Sequence, residues 1–373
     1  MTDRAPMVRL STPYTLLLHH EACHRLGDHA ERLSIDQSIS GACLRTTLSQ
    51  LPVPRIDATW LLVALLATKR PRVFAESEVR GDGSDWTLDE LRLLGDVAIA
   101  VPVTVYDDGR HDAPLVHDRP FSATLHFVAG ALLQSGRGAA AAADWGQVVR
   151  DGAIDQEAYT TLYERRLLPG LRHASATAEA AGRQVLVTIP GLGCGQFAGP
   201  FRGALGAHLR DAIVTLLRRH AESLTGIRAV WFDPYSECDN EEVRLSGLTL
   251  YVRPLLRTRS GLPQLSRPEA FARAVDDPAI ADCELASVVA WDHVSWPGND
   301  FFAGARATDD GVKAAATDSM FALTGFRGRY NRSTNTYDPP ADARTWEELV
   351  VHNDLHLRAT GNVVVIDAGS VPS

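Results

Sequence analysis

The sequence predicts an α/β protein in which a mixed sheet lies between helices. From about residue 97, short β-branched segments alternate with helical segments, the order found when largely parallel strands are joined by helices. Residues 1–90 lack this alternation and have mostly helical patterns, among them a capping box in which Thr87 is followed by Glu90. We therefore expect an N-terminal helical extension over residues 1–90 and an α/β domain over residues 91–373.

Hydrophobic spacing and turn residues predict the individual elements. Strands are expected at Ala98–Tyr106, Gln184–Ile189, Ile227–Phe232, Leu248–Leu255, Leu285–Trp291 and Val363–Asp367. Helices are expected at Ile56–Thr68, Pro200–Leu224 and Gly311–Leu323. Phe121–Leu133 is a further apolar segment, and the alanine-rich stretch Ala139–Ala143 is typical of a helix start or a linker.

The composition excludes several classes of protein. A net charge of −9 gives no support for nucleic-acid binding, which needs a basic surface. The longest apolar run, Trp60–Ala67, is too short to span a membrane, and no targeting segment is visible near the N-terminus. The five cysteines are scattered and never form a CxxC pair, which favours reduced thiols. We expect a cytoplasmic protein that binds neither nucleic acid nor membrane.

A glycine-rich turn lies between a predicted strand and a predicted helix. Four glycines fall within the nine residues Gly191–Gly199, and glycine lets a ligand approach the backbone closely. A helix that starts at Pro200 would present its N-terminus to an anion. The sequence therefore predicts a phosphate or pyrophosphate site. Its candidate residues are Gly191, Gly193, Cys194, Gly195, Gln196 and Phe197.

Two other interpretations of this turn remain. It could be a tight strand-to-helix turn without a ligand. It could also be a dinucleotide fingerprint, since Gly193, Gly195 and Ala198 fit G-x-G-x-x-[G/A]. That fingerprint requires an acidic residue about 20 positions further on, at the end of the next strand. Asp211 lies inside the predicted helix and Asp233 is much further away, so the dehydrogenase interpretation is disfavoured.

A second group of polar residues follows the predicted strand Leu285–Trp291. This loop carries four aspartates and an asparagine, and loops at strand C-termini are where ligands bind in open α/β folds. The polar residues are Asp292, Asn299, Asp300, Asp309 and Asp310. Each aspartate could instead cap a helix or satisfy loop amides. Clustered like charges repel, however, which favours a shared functional role. His293 is interpreted as structural or exposed, and the loop's two tryptophans as packing residues.

The two loops together resemble those of macrodomains. DGVKAA at residues 310–315 is similar to a macrodomain helix start, although here this loop follows the glycine turn, so the motif order looks permuted. The closer resemblance is to the divergent macrodomain hydrolases typified by MavL, over about residues 95–330. The matching strings are PGLGCGQFAG at 190–199, WPGNDFF at 296–302 and RATDDGVKAAAT at 306–317.

This resemblance implies a macrodomain-like fold and hydrolysis of the bond between ADP-ribose and an arginine guanidinium. The partner would be an ADP-ribosylated protein, with ubiquitin as the suggested one, and no metal or cofactor is expected. The glycine turn would hold the pyrophosphate and distal ribose, and Asn299 the ribose. Asp310 would orient or deprotonate water, Asp292 and Asp300 would hold ribose hydroxyls or the guanidinium, and Asp233 the adenine amino group. The alternative is a reader that binds ADP-ribose without catalysis.

Overall fold

The computed structural model describes residues 14–50, 56–134, 142–257, 261–359 and 363–366. The strands are β1 (Thr15–His19), β2 (Ala98–Asp107), β3 (Val116–Ala129), β4 (Val149–Arg150), β5 (Ala153–Ile154), β6 (Val185–Pro190), β7 (Ile227–Asp233), β8 (Glu241–Arg244), β9 (Thr249–Val252), β10 (Glu284–Trp291), β11 (Arg329–Asn331), β12 (Thr336–Asp338) and β13 (Val363–Ile366). The helices are α1 (His20–Ile35), α2 (Ala42–Gln50), α3 (Ala58–Thr68), α4 (Ala75–Glu78), α5 (Leu88–Gly95), α6 (Trp145–Val148), α7 (Gln156–Ala180), α8 (Leu205–His220), α9 (Pro268–Val275), α10 (Asp309–Ala316), α11 (Ser319–Thr324) and α12 (Trp346–His352).

Among the described residues, nine strands form one mixed sheet in the order β13-β1-β2-β3-β10-β6-β7-β9-β8. The five strands β3, β10, β6, β7 and β9 are parallel to one another. Strand β2 is antiparallel to both β1 and β3, and β8 is antiparallel to β9. The carboxyl ends of the five parallel strands therefore lie along one edge of the sheet, where the candidate loops begin.

Both faces of the sheet are covered. Within β1, Leu16 and Leu18 belong to one apolar core and Leu17 to the other, as the two-residue period of a strand requires. The core on the face of Leu17 contains the apolar side chains of α7 and α8. The opposite core contains those of α1, α3, α10, α11 and α12. This helix–sheet–helix arrangement confirms the predicted α/β fold class.

Within the described ranges, the N-terminal 90 residues contain four helices and the start of α5, but they also supply a strand to the sheet. The expectation of helix is wrong for Thr15–His19, which form β1 between β2 and β13. The apolar residues of β1 are continuous and do not alternate with polar ones, and α1 begins directly after them without a turn residue. The sequence therefore shows no strand periodicity there. The division of the chain at residue 90 stays a prediction.

Two predicted helices have different bounds in the structure. The helix expected from Pro200 begins at Leu205, because Gly199 has a φ of 55° and interrupts a short 3-10 helix over Gln196–Phe201. The helix expected over Gly311–Leu323 is two helices, α10 and α11. It breaks at Thr317, which forms a bridge to Val105 of β2. Of two other predicted segments, residues 135–141 and Asp367 lie outside the described part of the chain.

None of the described helices is both long enough and apolar enough to cross a membrane.

Candidate functional site

The sheet opens between its two central parallel strands. Strand β10 pairs with β3 as far as Trp291, and β6 pairs with β7 as far as Pro190. Between themselves, β10 and β6 pair only as far as Ser287 and Thr188. Beyond that point the two strands are no longer paired, and each leads into one of the candidate loops. The glycine loop and the aspartate loop therefore leave from opposite sides of one split.

A buried lysine fills the base of this split. Lys313 Nζ donates hydrogen bonds to Val288 O at 2.8 Å, Gln264 Oε1 at 2.6 Å and Asp309 Oδ2 at 3.1 Å. The same carboxylate oxygen of Asp309 accepts the amide of Ala290 at 2.7 Å, an amide that has no strand partner there. Lys313 and Asp309 thus satisfy one carbonyl and one amide of β10 that face the split.

The glycine loop packs directly against the segment that follows β3. A Cβ atom on Gly130 would lie 2.3 Å from Gly193 N, so the two backbones touch. Tyr163 of α7 joins them, because its hydroxyl donates to Leu192 O at 2.7 Å and accepts from Ala131 N at 3.0 Å. Gly193 itself has a φ of 74°, which favours glycine. The contacts with Tyr163 and with the segment after β3 therefore hold the inner part of the glycine loop in place.

The outer part of the glycine loop is available to a ligand. Gly195 and Gln196 are exposed and Phe197 is half-buried. The backbone N–H groups of these three residues have no acceptor among the described residues. Cys194 differs, because its side chain is buried with Sγ 3.7 Å from Leu192 O. The helix N-terminus expected to face the anion lies several residues away, because α8 begins at Leu205, so the free donors at the loop are its own amides.

On the opposite side of the split, Asp292 organises the start of the aspartate loop. Its Oδ1 accepts the amides of Val294 at 2.7 Å and Ser295 at 2.6 Å, and its Oδ2 accepts Asn299 Nδ2 at 2.9 Å. Burial raises the pKa of Asp292, and the nearby Lys69 and the loop amides oppose that rise. Asn299 Oδ1 is buried and has no donor among the described residues, which leaves an acceptor for a ligand hydroxyl.

Asp300 and Asp310 lie side by side at the start of α10. Asp300 Oδ2 accepts the amides of Ala307 at 2.7 Å and Thr308 at 3.1 Å. Asp310 Oδ2 accepts the amides of Gly298 at 3.2 Å and Asn299 at 3.0 Å. Burial raises the pKa of Asp310 well above its usual range, and the charges of Asp300 and Asp292 add to the rise.

The side chains of the two adjacent aspartates at the start of α10, Asp309 and Asp310, bond to different parts of the site. Asp310 bonds to the amides of the aspartate loop, whereas Asp309 bonds to Ala290 N and Lys313 across the split.

Two ionisable residues from the first 90 positions lie close to the aspartate loop. Lys69 Nζ donates to His293 O at 2.7 Å and lies 3.8 Å from the centre of the Trp291 ring. Burial lowers the pKa of Lys69 to about 7. Burial raises the pKa of Glu76 to about 7, and the charge of Asp292 contributes to that rise. Glu76 Oε2 is buried without a donor among the described residues.

Asp233 ends β7, on the far side of the glycine loop from the aspartate loop. Its Oδ1 accepts the amides of Tyr235 at 2.8 Å and Leu255 at 2.9 Å. Its Oδ2 is buried and has no donor among the described residues. Burial raises the pKa of Asp233 to about 6, and the charge of Asp309 adds to the rise. The free oxygen is an acceptor for a ligand's N–H group.

The predicted residues thus fall into three groups along one edge of the sheet. The glycine loop is central, Asp233 lies on one side, and the aspartate loop lies on the other. Phe197 of the glycine loop and His293 of the aspartate loop are in contact, with ring centroids 6.1 Å apart. His293 is fully buried and its Nε2 lies 3.3 Å from Asp144, which supports the structural role expected for it.

Several residues of this region have no counterpart in the sequence prediction. Lys69 follows the predicted helix Ile56–Thr68 and has no motif of its own, and Tyr163 belongs to α7, which is absent from the predicted helices. Glu76 and Gln264 carry no local signal, because only the fold brings them to the loops. Lys313 could have been found, since it lies four residues after Asp309 on a predicted helix, the spacing of a helical ion pair.

Comparison with known families agrees with this geometry. No curated protein matches the sequence significantly. The family described as macrodomain effector MavL matches residues 14–343, which is most of the chain. The match includes β1, the glycine loop and the aspartate loop. The chain therefore belongs to the MavL macrodomain effector family.

Proposed function

We propose that this protein hydrolyses the bond between ADP-ribose and an arginine side chain of a modified protein. The observation that carries the proposal is the split between β6 and β10, which has a glycine loop on one side and three aspartates on the other. Membership of a macrodomain family supports ADP-ribose as the ligand. Ubiquitin is the first modified protein to test, and the cytoplasm stays the expected place of action.

The glycine loop suits the pyrophosphate. The unbonded amides of Gly195, Gln196 and Phe197 are donors for phosphate oxygens. Gly193 and Gly130 allow close backbone approach beneath the loop. The binding energy would come from backbone hydrogen bonds, because the exposed part of the loop carries no positive side chain.

The distal ribose and the arginine would lie towards the aspartate loop. Hydrolysis forms a bond from water oxygen to the anomeric carbon as the bond to the guanidine nitrogen breaks. The transition state is oxocarbenium-like, so nearby carboxylates stabilise it. One proton leaves the water and one reaches the departing guanidine. We assign the stabilisation of the transition state and the two proton transfers to Asp292, Asp300 and Asp310. Asn299 Oδ1 would accept a hydrogen bond from a ribose hydroxyl.

Binding without catalysis is the second candidate function, and one observation favours it. All four carboxylate oxygens of Asp300 and Asp310 already take part in hydrogen bonds with the loop or with Thr308. Aspartates that serve only to shape the ribose pocket would have this arrangement.

The two functions are separated by measuring ADP-ribose release from an arginine-modified protein and, in parallel, ADP-ribose affinity by calorimetry. For a hydrolase, we expect Asp300→Ala and Asp310→Ala each to lower the release rate by on the order of 10²–10³-fold, the loss typical of one electrostatic group. Asp211→Ala, on the exposed face of α8, is the control and should behave as wild type. Circular dichroism and thermal melting confirm that each variant is folded.

Each outcome decides between the candidates. Binding by the wild type without release identifies a reader. Release that is unchanged in both aspartate variants contradicts the catalytic assignment, and absence of ADP-ribose binding contradicts the proposal as a whole.

A further inference from the structure

A threonine hydroxyl lies between two of the three aspartates. Thr308 Oγ1 is 2.7 Å from Asp310 Oδ1 and also forms a hydrogen bond with Asp300 Oδ1. The same oxygen accepts the amide of Gly311 at 3.2 Å, as the N-cap of α10. Thr308 is therefore in contact with two carboxylates and one N–H donor at once.

Counting hydrogens shows how an additional proton would satisfy this arrangement. A hydroxyl has one hydrogen to donate and two lone pairs that accept. Gly311 N uses one lone pair, so Thr308 can donate to one carboxylate and accept from one further donor. If both aspartates were ionised, the two carboxylates would have to share the single hydroxyl hydrogen. A proton on one of the two carboxyl groups, donated to Thr308, gives each contact its own hydrogen.

The surroundings indicate that Asp310 carries this proton. It is 2% exposed, and the charged groups that act on it are Asp300 and Asp292, which oppose its ionisation, and Lys313, which favours it. Asp300 accepts the amide of Ala307 at 2.7 Å, a shorter bond than the two that Asp310 accepts from backbone amides, at 3.0 and 3.2 Å. Short bonds are typical of an ionised acceptor.

We propose that Thr308 is a positioning residue that holds Asp300 and Asp310 as a pair sharing one proton, with the proton on Asp310. In the resting chain, Asp310 Oδ1–H donates to Thr308 Oγ1, and Thr308 Oγ1–H donates to Asp300 Oδ1. This reverses the role expected of Asp310 from the sequence, since a protonated carboxyl is an acid and not a base.

The consequence for the reaction rests on the proposed hydrolase function. Asp310 gives its proton to the departing guanidine, and Asp300 takes a proton from the attacking water. The Thr308 hydroxyl then passes a proton from Asp300 back to Asp310, so the pair begins and ends each cycle with one proton. Two carboxylates without such a link would have to exchange protons through solvent.

Two matched substitutions test the pair without any substrate. Asp310→Asn mimics the proposed state, because its amide nitrogen donates to Thr308 while its oxygen accepts from Gly298 N and Asn299 N. Asp300→Asn mimics the opposite state and places the charge on the buried Asp310. We expect the thermal midpoint of Asp310→Asn to equal or exceed that of wild type at neutral pH, and that of Asp300→Asn to fall.

Infrared spectroscopy gives a direct signature of the proton. The difference spectrum between wild type and Asp310→Asn should contain the C=O band of a protonated carboxylic acid. Thr308→Val should move this band, since the carboxyl loses its acceptor, and Thr308→Ser should keep it in place. A merely structural threonine would leave the band unmoved. A missing band, or equal loss of stability in both asparagine variants, overturns the shared proton, and the reverse order of stability overturns its place on Asp310.

The activity measurement is separate. If the hydrolase proposal holds, Asp310→Asn should release ADP-ribose on the order of 10²–10⁴-fold more slowly with unchanged affinity, because it cannot give up a proton. A wild type without hydrolase activity would contradict the proposed function, whereas the spectra and melting data would still decide the state of the pair.

Discussion

At the scale of single residues, ligand specificity can be tested at Asp233, because its Oδ2 has no hydrogen-bond donor among the described residues. One oxygen of this buried carboxylate accepts two backbone amides, and the other has no donor among the described residues. An orphaned buried acceptor costs free energy unless a ligand satisfies it. The exocyclic amino group of adenine is a donor of the required kind.

We expect Asp233→Asn to weaken ADP-ribose binding by about 10–100-fold, which corresponds to one lost charge-assisted hydrogen bond of about 1.5–3 kcal/mol. The asparagine oxygen would keep the bonds from Tyr235 N and Leu255 N, so its amide group would face the adenine amino group, donor against donor. The hypoxanthine analogue has a carbonyl at that position. The variant should therefore lose its preference for ADP-ribose over inosine diphosphate ribose, as measured by calorimetry.

The matched control is Asp239→Asn, which changes an exposed aspartate on the same connection after β7. It should bind both nucleotides as the wild type does. Equal loss of affinity for both nucleotides in Asp233→Asn would show that the side chain supports the loop and does not contact the base.

At the scale of elements, the glycine loop depends on one backbone position more than on the others. Gly193 has a φ of 74°, and a Cβ atom there would lie 2.9 Å from Ala131 N and 3.0 Å from Ala131 O. Both atoms belong to backbone that Tyr163 fixes in place. The loop and its support therefore cannot move apart easily to accept a methyl group.

Gly193→Ala should lower the free energy of unfolding by about 1–3 kcal/mol, because it combines a left-handed backbone with a steric clash. ADP-ribose binding should fall with it. Gly27→Ala in α1 is the matched control, since its Cβ would meet nothing within 4 Å, and alanine in a helix is more stable than glycine by about 0.5–1 kcal/mol. Urea unfolding of both variants measures the difference, and a Gly193→Ala protein as stable as wild type would contradict the geometry.

Prediction from sequence succeeded where an element has its own local pattern. The strand ending before Gly191 and the strand ending at Trp291 were placed within one residue, because continuous apolar runs are bounded by turn residues. The 25-residue helix α7 was missed, because it is buried on several sides, including at Arg165 and Arg166, and has no single apolar face. Local spacing cannot show a helix whose charged residues are satisfied by a distant aspartate.

The same difference between local and long-range signals applies to the candidate site. Asp292, Asp300, Asp310 and the glycine loop are visible as local clusters, so sequence identifies them. Lys69 and Glu76 need long-range packing to reach the aspartate loop. Sequence therefore predicts which residues carry the chemistry better than it predicts what sets their charge.

At the scale of the whole molecule, the core contains histidines that must stay neutral. His126 lies in β3 with 1% exposure, and its Nε2 is 3.2 Å from His173 Nδ1. Burial lowers the pKa of His126 to about 3, and the neighbouring His173 contributes to the decrease. In the unfolded chain a histidine has a pKa near 6.5. Between these values the unfolded state binds a proton that the native state does not, so stability falls as pH decreases below about 6.5.

His126→Phe should remove this contribution. Because one pKa unit corresponds to 1.36 kcal/mol, the free energy of unfolding of the wild type should fall by about 2 kcal/mol more than that of the variant between pH 7 and pH 5. Urea unfolding at both pH values measures the difference. His352→Phe is the control, because it replaces an exposed histidine of α12 and should keep the acid sensitivity of the wild type. A His126→Phe protein with the acid sensitivity of the wild type would show that other buried histidines, such as His293, whose pKa burial also lowers, dominate the loss of stability over this pH range.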